Sequence, residues 1–351
     1  MLKKILATTA LLIVTLSSFA IAKVEYSIQD IGTLNTHSSQ AIALNNEGGI
    51  LGWYNIDGTK EGKHFFVREH DGSFHAIMED MNVIYENIPL HLHSNKINWR
   101  FLTDDGKAYG TLTLPNSTPL LFMWDKLNGV RKLGYLPNNE ISAINNQGQV
   151  LIQSVAENEN GLLIYRPVIW KNGNITRLKG LEGDLGIESE KSLGLSINNK
   201  GEVVGQSYTN LVYKNDFYKQ WHATMWGSNG TAIDLHKKIS KATTSVASAI
   251  NDHGEFIIGD SLFLKDGKSV FINGSRRLNN NYLHDETYVK NKDGQEILNR
   301  HDINSRVFND SNSIWINVSG FTNVNDAGEV IAKGETIYGE QHAVLLIPVN
   351  P

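Results

Sequence analysis

A short motif returns six times along this chain: an apolar residue, then Asn or Thr, two further residues and Gly. It stands at Leu44-Asn45…Gly48, Leu102-Thr103…Gly106, Ile144-Asn145…Gly148, Ile197-Asn198…Gly201, Ile250-Asn251…Gly254 and Val324-Asn325…Gly328. Repetition at this scale means a stacked or ring-shaped array, because one such unit cannot bury its own apolar faces. The motif is a tight hairpin. Asn at its first position bonds the backbone two residues on, and Gly at its fourth takes the positive φ that leads into the next strand. Thr103 performs the same task more weakly. Apolar pairs follow each turn, Ile50-Leu51, Val150-Leu151, Val203-Val204 and Val330-Ile331 among them, as expected of short strands buried on both faces.

Each unit divides into four strands. The first ends at the Asn and the second follows the Gly. The third is His64 to Val67, Leu120 to Trp124, Pro167 to Trp170, His222 to Trp226 or His342 to Ile347. A fourth, more polar strand comes after a further turn, as in Val130 to Leu133 and Ile175 to Leu178. Four strands with a charged outermost one describe a propeller blade, whose polar outer edge resists pairing with other chains. The sequence therefore predicts an all-β fold, a β-propeller of four-stranded blades occupying residues 23–351 as one domain. Turn positions are spaced by 58, 42, 53, 53 and 74 residues, so insertions are required. The longest stretch without a motif, 279–320, reads as an insertion or a degenerate blade. Six blades are expected, because the count should follow the motif that is present; a degenerate blade in that stretch would make seven. Tyr288 to Lys290 and Ser313 to Ile316 read as additional strands within it.

The two chain ends predict how the ring closes. The last unit stops at Pro351 without a fourth strand, while Tyr26 to Gly32 precedes the first motif and matches the fourth-strand pattern. Ile28 to Ile31 is therefore expected to pair with Val344 to Ile347. The spacing of Ile28 and Ile31 is not a clean period of two, which leaves room for a bulge.

With the modules in view, the chain resembles the HAF repeats of exported bacterial proteins, whose consensus runs Ala-Ile-Asn, two residues, Gly, an apolar strand, His-Ala-Phe and Trp, then Asp-Leu-Gly. His222-Ala223…Trp226 with Asp234-Leu235 is the nearest copy, and His64-Phe65-Phe66 and His342-Ala343-Val344 are partial ones. The resemblance implies repeat architecture and export, and it brings no catalytic residues. Arg166-Pro167 and Pro119-Leu120 replace His-Ala in two units, which argues against a single ring of histidines.

The first 22 residues carry Lys3 and Lys4, an apolar run from Ile5 to Leu16 and Ala20-Ile21-Ala22 ahead of Lys23, the pattern of a cleaved secretory signal. The run is shorter than the roughly 20 residues a membrane span needs. The expected location is thus extracellular or periplasmic, without membrane insertion after cleavage. No cysteine occurs, so disulfides are excluded and the core must stabilise the fold alone. Formal charge is −5 for the whole chain and becomes −7 when the two leader lysines are removed. A mildly acidic chain without a basic block is a poor match for nucleic acid.

Chemical candidates are few. His91-Leu92-His93 could offer two imidazoles to a metal, but no third ligand is recognisable. Asn251 to Glu255 and Asn325 to Glu329 resemble calcium loops superficially, yet lack the alternating ligands of an EF-hand and read as turns. Trp124, Trp170 and Trp226 fall at the ends of third strands and read as packing between blades. In the five residues before each turn the charges are Arg100 and Glu140, with no acidic pair for a two-carboxylate glycosidase. Ala43, Ala143, Ser196 and Ala249 suit a crowded inner ring. No catalytic, cofactor or metal residue is assigned. The expected function is a monomeric binding propeller that recognises a surface glycan or protein through its loops. A carbohydrate-active hydrolase or lyase with acids in 182–190 or 284–296 is the alternative, and a structural envelope or matrix protein a third.

Overall fold

The computed structural model describes residues 24–31, 38–55, 63–77, 84–85, 88–89, 97–112, 118–136, 140–157, 161, 163–182, 189–213, 216–239, 243–273, 277–309 and 313–349. The proposed leader and the His91-Leu92-His93 stretch lie outside them. Seven antiparallel four-stranded sheets follow one another along the chain, making a seven-bladed propeller. Blade I comprises Ser39–Leu44, Ile50–Tyr54, His64–Arg68 and Phe74–Ala76, and blade II comprises Ile97–Leu102, Ala108–Leu112, Leu120–Asp125 and Gly129–Tyr135. Blade III begins at Glu140–Ile144, blade IV at Ser192–Ile197 and blade V at Ala247–Ile250, each continuing strand by strand outward.

Blade VI corrects the preference for six. Arg277–Leu278, Tyr282–His284, Tyr288–Asn291 and Glu296–Asn299 form a complete small sheet, all but its first strand inside the stretch that lacked a motif. Its first turn is one residue shorter than the others. Asn279 N–H donates to Tyr282 O, whereas Asn45 N–H reaches Gly49 O. The shorter loop has no need of the Gly, so the pattern that identifies the other blades is missing. Beyond it, Arg300–Asn309 is a helix whose Ile303 is buried between blades VI and VII, and Asn304 Oδ1 accepts Val318 N–H at 2.6 Å. The Ser313 to Ile316 segment is not an extra strand; it runs into Trp315–Val324, the inner strand of blade VII.

The core is toroidal. Among the described residues there are seven separate apolar clusters, each shared by two neighbouring blades. Strand alternation explains this. Leu120, Phe122 and Trp124 face blade I, while Leu121 and Met123 from the same strand face blade III. Trp124, Trp170 and Trp226 fill the I/II, II/III and III/IV clusters, as the sequence indicated.

The chain ends meet in blade VII. Tyr26–Asp30 pairs antiparallel with Gln341–Pro348, placing Ile28 opposite Leu346 and Asp30 opposite Val344, with no break in register. Ile31 N–H then donates to Ala343 O at 3.0 Å. Tyr26 is buried and donates its hydroxyl to Gly328 O at 3.2 Å; burial drives that hydroxyl's pKa well upward, so the neutral donor persists. His342 Nδ1 bonds Asp30 Oδ2 at 2.8 Å, clasping the last strand to the first.

Deleting residues 24–31 removes the outer strand of blade VII and uncovers the edge of Gln341–Pro348. The truncated protein should melt several degrees lower and be cut rapidly by protease near its C-terminus. Unchanged melting and protease resistance would contradict closure by this strand.

Candidate functional site

In each blade the turn joining strands one and two and the turn joining strands three and four lie on the same face, and the first of these ring the central axis. Gly48, Gly106, Gly148, Gly201, Gly254 and Gly328 have φ between 67° and 82°, the left-handed values the motif requires. The Asn at the first position works in two directions. Asn198 Oδ1 accepts the N–H groups of Lys200 and Glu202 within its own turn, while its Nδ2 donates to Asn251 O of the next blade at 3.0 Å. Corresponding inter-blade links run from Asn45 to Thr103, Asn145 to Asn198, Asn251 to Asn279, Asn279 to Val324 and Asn325 to Asn45. Thr103 has no amide to continue the series.

The next residue of each turn closes a second circle. Asn46, Asp104, Asn146, Asn199, Asp252, Asn280 and Asp326 each donate their backbone N–H to Oδ1 of the following member, at 2.7 to 3.1 Å. Asn and Asp side chains also bond laterally, as in Asn199 Nδ2 to Asp252 Oδ2 at 2.7 Å and Asn280 Nδ2 to Asp326 Oδ2 at 2.8 Å. The Asn146 amide also donates to Asp104 Oδ2, strengthening the junction that Thr103 leaves short. This circle was missed in the sequence although its signal was present, since every second turn position is Asn or Asp. The stretches Asn251 to Glu255 and Asn325 to Glu329, read as turns, belong to it. Asn251 Nδ2 and Asn325 Nδ2 donate to Glu255 Oε2 and Glu329 Oε2, so these carboxylates are engaged as turn acceptors. Among the described residues no three His, Asp or Glu side chains converge as a metal site would need.

The circle frames a shallow mouth of about 240 Å³ floored by Ile144, Ile197, Ile250 and Leu278. Beside it, on the same face, a larger cleft of about 580 Å³ opens between blades I and II. Glu47, Glu69, Asp71, Asp104 and Asp105 line it, with His70, Lys126 and the buried Trp124. Lys126 Nζ reaches across the blade boundary to Glu69 Oε1 at 2.8 Å, and His75 Nε2 contacts the same oxygen at 3.1 Å. The hydrogen bond from Lys126 holds Glu69 below the usual carboxylate range. Burial raises Asp105, but hydrogen bonds from Lys107 and Thr103 outweigh it and leave that carboxyl low as well. Wherever a described carboxyl departs from its ordinary value, it moves downward. Such groups are charged acceptors; a general acid needs the opposite shift.

The repeat histidines occupy separate junctions. His222 Nδ1 bonds Asp234 Oδ2 at 3.1 Å and stacks on His236 at 4.0 Å, while His342 pairs with Asp30. His64 instead stacks on Tyr54 at 5.4 Å. Beside both His–Asp clasps a serine from the next blade caps the strand: Ala223 N–H donates to Ser245 Oγ, and Ala343 N–H to Ser39 Oγ, each at 2.9 Å. Asp234 and Asp30 thus each tie the outer strand of a blade to its neighbour.

Along the inner strands, Arg100 is exposed. The side chain of Glu140 lies outside the described residues. Blade VI adds Arg277, omitted when six blades were counted; its Nη1 donates to Thr322 O at 2.9 Å. The 284–296 stretch, considered as a carrier of catalytic acids, is blade VI itself, and Glu296 Oε1 accepts from Asn299 Nδ2. Of 182–190, residues 183–188 lie outside the described set.

No protein-family model matches the chain, and no curated protein matches it significantly in sequence. Solved structures do. The β-propeller domain of the Trilobed protease from Pyrococcus furiosus superposes with a TM-score of 0.51 at 11% identity, over 89% of this chain and 98% of that one. The likeness is one of fold alone. That domain is described as having an open velcro topology, whereas here the ends are joined by Tyr26–Asp30. TolB from Acinetobacter baumannii matches at TM-score 0.36 and 10% identity, over 90% of this chain and 64% of that one. Bacillus subtilis arabinanase Arb43A matches at TM-score 0.27 and 11% identity, over 92% and 97%.

Blade VI provides a pH test of the packing. His284 is buried, its Nδ1 has no hydrogen-bond partner, and burial, with Arg277 adding to it, lowers its pKa to about 3. An unfolded histidine titrates near 6.5, so the unfolded chain takes up the proton first as pH falls. The contribution of neutral burial is complete above about pH 6.5 and shrinks toward pH 3 by about 1.4 kcal/mol per unit. Urea midpoints at pH 7 and pH 5 should show His284→Leu losing about 2 kcal/mol less than the parent over that interval. Equal losses would mean that His284 is not held neutral.

Proposed function

We propose that this chain is an exported HAF-repeat propeller that binds a ligand without transforming it, using the cleft between blades I and II. The supporting observation is the cleft itself. It is an open volume of about 580 Å³ walled by blades I and II, and two of its carboxylates, Glu69 and Asp105, are held below the usual carboxylate range. Binding pockets of small and extended ligands fall in this size range. The leader-like N-terminus and the HAF-like modules support export, because both patterns belong to secreted chains. Function must come from such a site and not from the propeller fold, which hosts many unrelated activities.

Glu47 and Asp71 are exposed on the cleft and stand outside the Asn/Asp circle, which makes them suitable probes. The purified mature protein applied to glycan and peptide arrays should show saturable binding, weakened about tenfold by Glu47→Gln with Asp71→Asn, as expected when charged contacts are removed. Bound material should be recovered chemically unchanged. Recovery of a cleaved or eliminated product would overturn the binding reading in favour of a hydrolase or lyase.

A further inference from the structure

The I/II cleft has a neighbour. A second cleft, of about 470 Å³, lies between blades II and III, and Asp105 lines both. The blade II turn therefore stands between two clefts that together span three blades.

The halves differ in charge. Five carboxylates, Glu47, Glu69, Asp71, Asp104 and Asp105, face a single ammonium, Lys126, in the first. The lining of the second has two cations, Lys107 and Arg131, and one carboxylate, Asp105, with Asp125 behind Arg131. Lys107 is ion-paired with Asp105, and Arg131 with Asp125, yet their side chains remain 37% and 47% exposed. Each half also has an indole in its lining, Trp124 or Trp170, but these are only 1% and 7% exposed. Neither presents an open ring face on which a sugar could stack, so recognition must come from charge and hydrogen bonding. Gln147 and Asn172 in the second half offer amides of the kind that pair with a peptide backbone.

We infer that the ligand of the binding reading given above is an extended polypeptide segment lying across blades I to III, with a basic side chain in the first cleft and an acidic one in the second. The inference rests on that reading. A polyanion is repelled by the first half, and a uniformly cationic polymer gains nothing from the second. A polypeptide carries both signs on one backbone, at positions that can match the groove. Specificity then arises from the sign reversal as much as from attraction, since a segment with the charges in the opposite order meets like charge in both halves.

Fluorescence anisotropy on the mature protein tests this with three labelled probes: a peptide basic at one end and acidic at the other, a uniformly basic peptide, and a chitosan oligosaccharide. The mixed peptide should bind most tightly. Its affinity should fall about tenfold with Glu47→Gln and Asp71→Asn together, and severalfold with Lys107→Gln. The uniformly basic peptide should respond only to the first pair. Arg131→Gln is a second probe of the second cleft, with melting temperature as the folding control because Arg131 holds Asp125. If both Lys107→Gln and Arg131→Gln leave the mixed peptide unaffected, the two-cleft groove is wrong while binding at the first cleft survives. Chitosan binding as tightly as the mixed peptide, with the same dependence on Glu47 and Asp71, would replace the polypeptide with an amino-sugar polymer. Failure of every probe to bind would overturn the inference, and the arrays would then decide separately whether the first cleft binds anything.

Discussion

Seven backbone amides around the central axis each need an acceptor, and each finds it on the neighbouring blade. This is the constraint on which the rest of the structure depends. A blade alone leaves the N–H at its second turn position without a protein partner, and the Asx side chain beside it has one oxygen to spare. Placed in a ring, every blade satisfies the next, from Asn46 to Asp104 and onward to Asp326, which returns to Asn46. A single such bond contributes about 1 kcal/mol net, and the circle joins seven of them at half-buried or exposed positions. Closure of the circle thus favours a definite number of blades. The seven apolar clusters supply most of the burial, while the polar circle fixes how the blades are positioned around the axis.

Much of this was legible in the sequence because a hairpin motif imposes strong local requirements. Asn45 and Gly48, and their counterparts, mark strand boundaries through the conformations they permit, and the orphan strand at Tyr26–Asp30 followed from counting strands at the two chain ends. The blade count failed where the local requirement relaxed. Asn279-Asn280-Asn281 makes a tighter turn, so no Gly is needed and nothing marks the blade. The inter-blade partners were hidden for a different reason. Asn and Asp at the second turn position satisfy no need within their own hairpin, so their role appears only once neighbouring blades are adjacent.

The candidate site was less legible than the fold. Glu47, Glu69, Asp71 and Asp105 come from three turns of two blades, and nothing in their spacing shows that they share a cleft. Lys126, which crosses from blade II to Glu69 of blade I, is equally invisible to any reading confined to one repeat. The division of labour is nonetheless consistent. The first two positions of the inner turns hold the ring, His222 with Asp234 and His342 with Asp30 hold the sheets, and the residues between these fixed points vary from blade to blade. Those varying residues make the I/II and II/III clefts different in charge while the scaffold around them stays the same.

The claim that the Asn/Asp circle positions the blades is tested most directly by Asp252→Ala. That change removes the acceptor of Asn199 N–H and of Asn199 Nδ2 while leaving the blade V hairpin, anchored by Asn251, its own bonds. Urea denaturation combined with amide hydrogen exchange should show a loss of about 1–3 kcal/mol and fast exchange at Asn199. An unchanged midpoint together with continued protection of the Asn199 amide would contradict it.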